Sequence, residues 1–156
     1  MTSIDDRLAE LGISLPAVAT PAGSYVPAIV TGSYVYTAGQ LPFVDGVLPA
    51  TGKVGNAPGL IDPETAQDLA RQSALNALSA AKSVLGSLDR VVRVVKVVGF
   101  VASDPSFTGQ PGVINGASNV LGEIFGEAGV HARSAVGVAV LPLDSPVEVE
   151  LVLEVR

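Results

Sequence analysis

Val130-His131-Ala132-Arg133-Ser134-Ala135-Val136-Gly137-Val138-Ala139-Val140-Leu141-Pro142 is followed, after a short break, by Val147-Glu148-Val149-Glu150-Leu151-Val152-Leu153-Glu154-Val155. The second run alternates strictly. Val147, Val149, Leu151, Leu153 and Val155 fall on one side, and Glu148, Glu150 and Glu154 on the other. A period of two sustained over such a run predicts a strand with one face on a core. Ala135 to Leu141 has no polar side, which predicts a second strand, and Arg133 stands at its mouth. One guanidinium beside apolar walls, with carboxylates set along the next strand, suits a small ligand that carries a carboxylate.

Upstream of this pair, Val91 to Ala102 is dominated by β-branched residues and predicts a long strand. Its uneven alternation calls for burial on both faces or a bulge. Asp62-Pro63-Glu64 opens the clearest helix, with an N-cap, a proline at the first helical position and an early acid. Ala66, Leu69, Ala70, Ala74, Ala77, Leu78, Ala81 and Leu85 share one face, and Gly86 ends it. Val113 to Phe125 returns to helical spacing after the turn residues Asp104-Pro105-Ser106. Tyr25 to Val30 and Tyr34 to Thr37 are β-rich runs joined by Thr31-Gly32-Ser33. The glycine- and proline-spaced stretch 41–60 predicts a long excursion with a short strand at Val44 to Leu48. Ser3 to Leu11 predicts a short amphipathic helix capped by Ser3 and stopped by Gly12, and residues 14–23 an extended connection.

The order is β-β-(loop)-α-β-α-β-β, an α+β domain with both helices on one face of a mixed sheet. Residues 1–22 form an N-terminal helix and connection, and 23–156 a single domain. Charged residues make up 15% of the 156, against roughly 25% in an average soluble protein, and mean hydropathy is +0.49. No uninterrupted apolar run of about 18 residues exists, so no membrane span is expected. The apolar excess predicts burial of the open sheet face in another subunit.

The net charge of −6 argues against general nucleic-acid binding, which needs clustered cations. Arg90, Arg93 and Lys96 cluster, but without interleaved aromatics. With no cysteine and a single histidine, His131, there is no metal-ligand cluster, and no glycine pattern matches a nucleotide cofactor. Met1 to Asp6 lacks the basic start of a signal peptide, and a cytoplasmic protein is expected.

Each candidate also has a plain structural reading. Arg133 can form a surface ion pair, Glu148 can be a solvated strand carboxylate, and Asn115 can cap a helix. Tyr25 can be a core or interface aromatic, and His131 can satisfy a local hydrogen bond. Gly39, within Thr37-Ala38-Gly39-Gln40, admits close approach to the backbone.

Gly23-Ser24-Tyr25-Val26, Thr37-Ala38-Gly39-Gln40-Leu41-Pro42, Asn115, Ala132-Arg133-Ser134, Leu141-Pro142 and Val147-Glu148-Val149-Glu150 together resemble the YjgF/Rid family. This family comprises the reactive-intermediate or imine deaminases, also known as endoribonuclease L-PSP. The resemblance runs from about residue 20 to the end, closest to a branch with a longer N-terminus and middle loop. It implies a chorismate-mutase-like fold, a homotrimer, ligand sites between subunits and no cofactor. It maps the carboxylate-binding arginine onto Arg133 and the glutamate near the attacking water onto Glu148. Tyr25, Gly39 and Asn115 take the positions of ligand-facing residues. Ala38 replaces a family serine, and Ala135 stands where a cysteine is common and where the backbone can still face the ligand.

The implied chemistry is hydrolysis of a small enamine or imine carboxylate to a 2-keto acid and ammonia. A non-catalytic trimer binding small carboxylates in the same cleft is the alternative. An RNA-cleaving or translation-inhibiting protein is a third, disfavoured by charge.

Overall fold

The computed structural model describes all of residues 1–156. The elements are α1 (Ile4–Glu10), β1 (Ala28–Thr31), β2 (Tyr34–Thr37), α2 (Pro63–Leu85), β3 (Val91–Ala102), α3 (Gln110–Phe125), β4 (Ala132–Val138) and β5 (Val147–Val155). The five strands form one sheet in the order β1-β2-β5-β3-β4. Only β3 and β4 run parallel; every other pair is antiparallel. This is the expected α+β class with a mixed sheet.

β5 lies in the middle of the sheet, and its alternation is fully used. Val147, Val149, Leu151, Leu153 and Val155 are buried, and the residues between them are half-buried. The buried set belongs to a core of 30 residues shared with α2 and α3. β3 resolves its uneven pattern through two register shifts against β5, between Val91 and Arg93 and between Val94 and Lys96. Local ladder irregularities of this kind let a long strand twist without losing its inward valines.

α2 starts on Asp62, which accepts from the Glu64 amide at 3.4 Å, and ends on Gly86 at φ 80°. Its backbone lies close to α3: a Cβ on Gly116 would overlap the Gln67 carbonyl. α1 is capped by Ser3 with a reciprocal contact from Asp6, and its Leu8 joins the main core.

Four boundaries differ from the sequence expectation. The first strand starts at Ala28, not Tyr25, because Pro27 has no amide to give and the Tyr25 amide turns back to Gly23 at 3.1 Å. Val44 to Leu48 is a tight turn, with Val44 bonded to Val47 and positive φ at Asp45 and Gly46. α3 begins three residues early because Pro111, in its first turn, is pre-set for a helix start. β4 runs from Ala132 to Val138, so Arg133 lies inside the strand and not before it.

The sheet face away from the helices carries Ile29, Tyr34, Tyr36 and Val136, all exposed, with Phe100, Val98 and Val152 half-buried between them. No helix of the chain is long and apolar enough to cross a membrane.

Candidate functional site

Glu148 projects from the second position of β5 onto that open face, beside Phe100 of β3. The neighbouring backbone closes on it from the other side. Gln40 exchanges hydrogen bonds with Val149 at 2.8 and 3.1 Å, which brings Gly39 so near that a Cβ there would overlap the Glu148 carboxylate. No cation answers this acid: the ion pairs of the chain are Arg7–Glu10 at 3.3 Å and Lys82–Asp5 at 2.7 Å. Burial, and secondarily repulsion from Glu150, raises the Glu148 pKa above the ordinary 4.5. A carboxyl with elevated proton affinity and no partner is suited to taking and returning a proton.

Glu148 forms part of a cavity of about 240 Å³ whose other walls include Gly39, Tyr25, Phe43, Pro142 and Leu143. The Tyr25 hydroxyl accepts from the Ala22 amide at 3.3 Å, which leaves its own proton to donate inward. Leu143 and Asp144 both hold φ of 57°, a left-handed conformation that costs non-glycine residues about 1–2 kcal/mol each. The connection is held there by Ser145, whose buried hydroxyl donates to the Val147 carbonyl at 2.8 Å. A further bond runs from the Gly52 amide to the Asp144 carbonyl at 2.8 Å.

Arg133 points the other way. Its Nη1 donates to Ser118 Oγ at 3.1 Å and its Nη2 to the Pro111 carbonyl at 3.0 Å, both on α3. Guanidinium has five N–H donors, so most of its fork is left for a ligand. Ser118 is itself held by His131, with Oγ 2.9 Å from Nε2, while Nδ1 lies 2.6 Å from the Gly129 carbonyl. Since a carbonyl only accepts, we assign the ring proton to Nδ1, and the serine hydroxyl then donates to Nε2. The result is one directed chain from Arg133 through Ser118 and His131 to Gly129. Asn115, Ser118, His131 and Arg133 line a shallow cavity of about 320 Å³.

The candidates therefore divide into two groups. Tyr25, Gly39 and Glu148 share one cavity, and Asn115 and Arg133 share the other; Ala38 and Ala135 line neither. Arg133 aligns with Val97 and, through it, Leu151, three residues from Glu148 and two strands across. That places their Cα atoms on the order of 14 Å apart, with side chains on opposite faces. The sheet stands between them. Ser118 and His131 are additions that spacing did not single out as ligands of Arg133. Ser118 lies one helical turn from Asn115, a signal that was available once Asn115 was a candidate.

No group of three or more metal-ligating side chains comes together. Of the basic trio, Arg90 donates to the Arg156 and Leu85 carbonyls, and Arg93 lies opposite Glu154.

The family described as "YjgF/chorismate mutase-like, putative endoribonuclease" matches residues 5–155. Protein TCP17 of Trypanosoma cruzi is 46% identical over 151 residues, covering 96% of this chain and 92% of that protein. A solved structure from Shewanella oneidensis carrying the same endoribonuclease designation superposes with a TM-score of 0.92 at 33% identity, covering 98% of this chain and 99% of the other. The Escherichia coli protein TdcF, solved with bound serine, superposes at 0.63 with 27% identity over 92% of this chain and 95% of its own.

Proposed function

The chain belongs to the YjgF/chorismate mutase-like family, and from that premise we propose that it hydrolyses small enamine or imine carboxylates to 2-keto acids, without a cofactor, at sites shared between copies. One observation carries the reading: the chain has an arginine lacking an acid and an acid lacking a base, each in its own cavity, on opposite faces of the sheet. A neighbouring copy that set its Arg133 cavity over the Glu148 cavity would give each what it lacks. The exposed apolar face through Ile29, Tyr36 and Val136 supplies the surface for such an association. A homotrimer is the assembly we propose, each copy giving its arginine side to one neighbour and its glutamate side to the other. That a relative binds serine supports a small amino-acid-like ligand here.

In this arrangement Arg133 grips the substrate carboxylate with two parallel N–H bonds, its plane fixed by Ser118 and Pro111. Tautomerisation moves a proton from the enamine nitrogen to its carbon and gives the imine. Water adds to the imine carbon while Glu148 takes one of its protons and passes it to nitrogen, leaving a carbinolamine. The carbinolamine hydroxyl proton then follows the same route through Glu148 to nitrogen as the C–N bond breaks, so that the imine C=N is replaced by the C=O of a 2-keto acid and ammonia departs. The Gly39 backbone and Tyr25 hydroxyl border the reacting atoms. Binding converts a bimolecular encounter into a positioned one, and that suffices for a reaction that already proceeds readily in water.

The test is to generate 2-aminoacrylate in situ and follow keto acid and ammonia. The wild type should exceed buffer, and Arg133→Ala or Glu148→Gln should each cut the catalysed rate about a hundredfold or more. Ligand binding with no rate gain would replace catalysis with a carboxylate-binding role. RNA cleavage that survives Arg133→Ala but is lost in Arg93→Ala would replace both.

A further inference from the structure

The cavity beside Glu148 shares part of its wall with a second one. Ala19, Thr20 and Phe43 line it and also line a second chamber of about 450 Å³. This chamber lies between the extended segment after α1 and the Val44–Val47 turn, with Pro16, Ala17 and Val18 along one side. Asn76 and Asp45 are polar members of its far side. The Asn76 amide is already engaged. Its Nδ2 donates to the Leu41 carbonyl at 2.9 Å and the Phe43 carbonyl at 3.1 Å, and its Oδ1 accepts from Gln72 at 3.1 Å. The buried asparagine thus holds the loop and fixes Phe43 at the junction of the two chambers. Asp45 sits on the exposed turn at φ 50°.

A 2-imino acid held by its carboxylate, with its imine carbon at Glu148, has one substituent left to place. A methyl or methylene group would fill neither chamber. We infer that the second chamber receives the substrate side chain, so the preferred substrates are imino or enamino acids with an extended apolar side chain, and that Phe43 and Val18 set its reach. The inference rests on the deaminase reading and names the substrate class for the same site. Each methylene moved from water onto such a surface is worth about a fourfold gain in binding. Pockets of a few hundred cubic ångströms, mostly apolar with few polar groups, select ligands on this basis.

The experiment pairs two series. In one, affinities are measured by titration calorimetry for pyruvate and its straight-chain homologues up to the six-carbon acid. In the other, kcat/KM is measured for the imines that an amino-acid oxidase generates from alanine, norvaline, norleucine, phenylalanine and lysine. Both should climb about fourfold per added methylene. Val18→Trp should flatten the climb, and Phe43→Ala should extend it to longer acids; Ala17→Phe replaces Val18→Trp if that variant does not fold. A flat or falling wild-type series, or one that filling the chamber leaves untouched, overturns the assignment. So does a preference for the lysine-derived imine over the norleucine one, which would give the chamber to basic side chains facing Asp45. Turnover of the alanine-derived imine with a flat series defeats the chamber alone. A rising affinity series without turnover of any imine defeats the deaminase reading and leaves the chamber assigned to apolar keto acids.

Discussion

Glu148 and Gly39 show how one residue's identity depends on another that is far away in sequence. The glycine leaves room for a carboxylate, and the carboxylate is thereby held against apolar surface where its charge is disfavoured. Because burial and Glu150 raise its pKa in the folded chain, the protonated form favours folding. That contribution is complete below the unfolded value near 4.5 and is lost as pH rises through the higher folded value. Glu148→Gln, neutral throughout, should therefore be more stable than wild type at pH 7 and lose that advantage below about pH 4. Denaturant melts at the two pH values check it, and equal stability at both would remove the desolvation argument. Of these residues, Arg133 drew attention because a guanidinium stands beside an apolar run, whereas Glu148 is one of three acids on one side of an alternating strand and was singled out by the family resemblance. Ser118 and His131 were not. His131 reads correctly as a residue satisfying a nearby carbonyl, that of Gly129, but its second bond depends on how α3 docks beside β4. No spacing along the chain contains that information.

At the scale of elements, β5, β2, α2 and β3 were readable because periodicity, caps and β-branching agree there. The errors fall where one residue's backbone chemistry outweighs its neighbours' propensity. Pro27 delays β1, Pro111 advances α3, and Asp45-Gly46 folds a presumed strand into a turn. The left-handed Leu143-Asp144 connection gave no signal at all, since leucine is a poor choice for positive φ. The alanines of α2 suit close packing against the sheet, and they are buried in the core shared with its strands. A separate close approach, to α3, gave no such signal: it is made through Gly116, whose missing Cβ leaves space for the Gln67 carbonyl. Backbone cannot yield as a side-chain tip can, so Gly116→Ala should force the two helices apart. Overpacking of this kind costs about 1–3 kcal/mol, more than the roughly 1 kcal/mol that alanine gains over glycine in a helix. Thermal melts should show a lower Tm; an unchanged or higher one would mean that the helices slide freely past each other.

The whole molecule is organised around separation. Its sheet places an acid on one face and a guanidinium on the other, and no rearrangement short of unfolding brings them together within one chain. Sequence could nominate both but could not divide them, because strand order and facing depend on the complete sheet. The division has a consequence that mixing can measure. Arg133→Ala keeps an intact glutamate side, and Glu148→Gln keeps an intact arginine side. Each variant alone should be inactive toward in-situ imines. If equal amounts are unfolded together and refolded, copies should assort at random in the proposed homotrimer. A site is then whole when its arginine side comes from one variant and its glutamate side from the other, which happens in roughly one site in four for identical head-to-tail interfaces. About a quarter of wild-type activity should therefore return, and it should be absent when the variants are refolded separately and only then combined without exchange. No recovery after joint refolding, with both variants folded and assembled, would place arginine and glutamate in the same chain's site or in no common site at all.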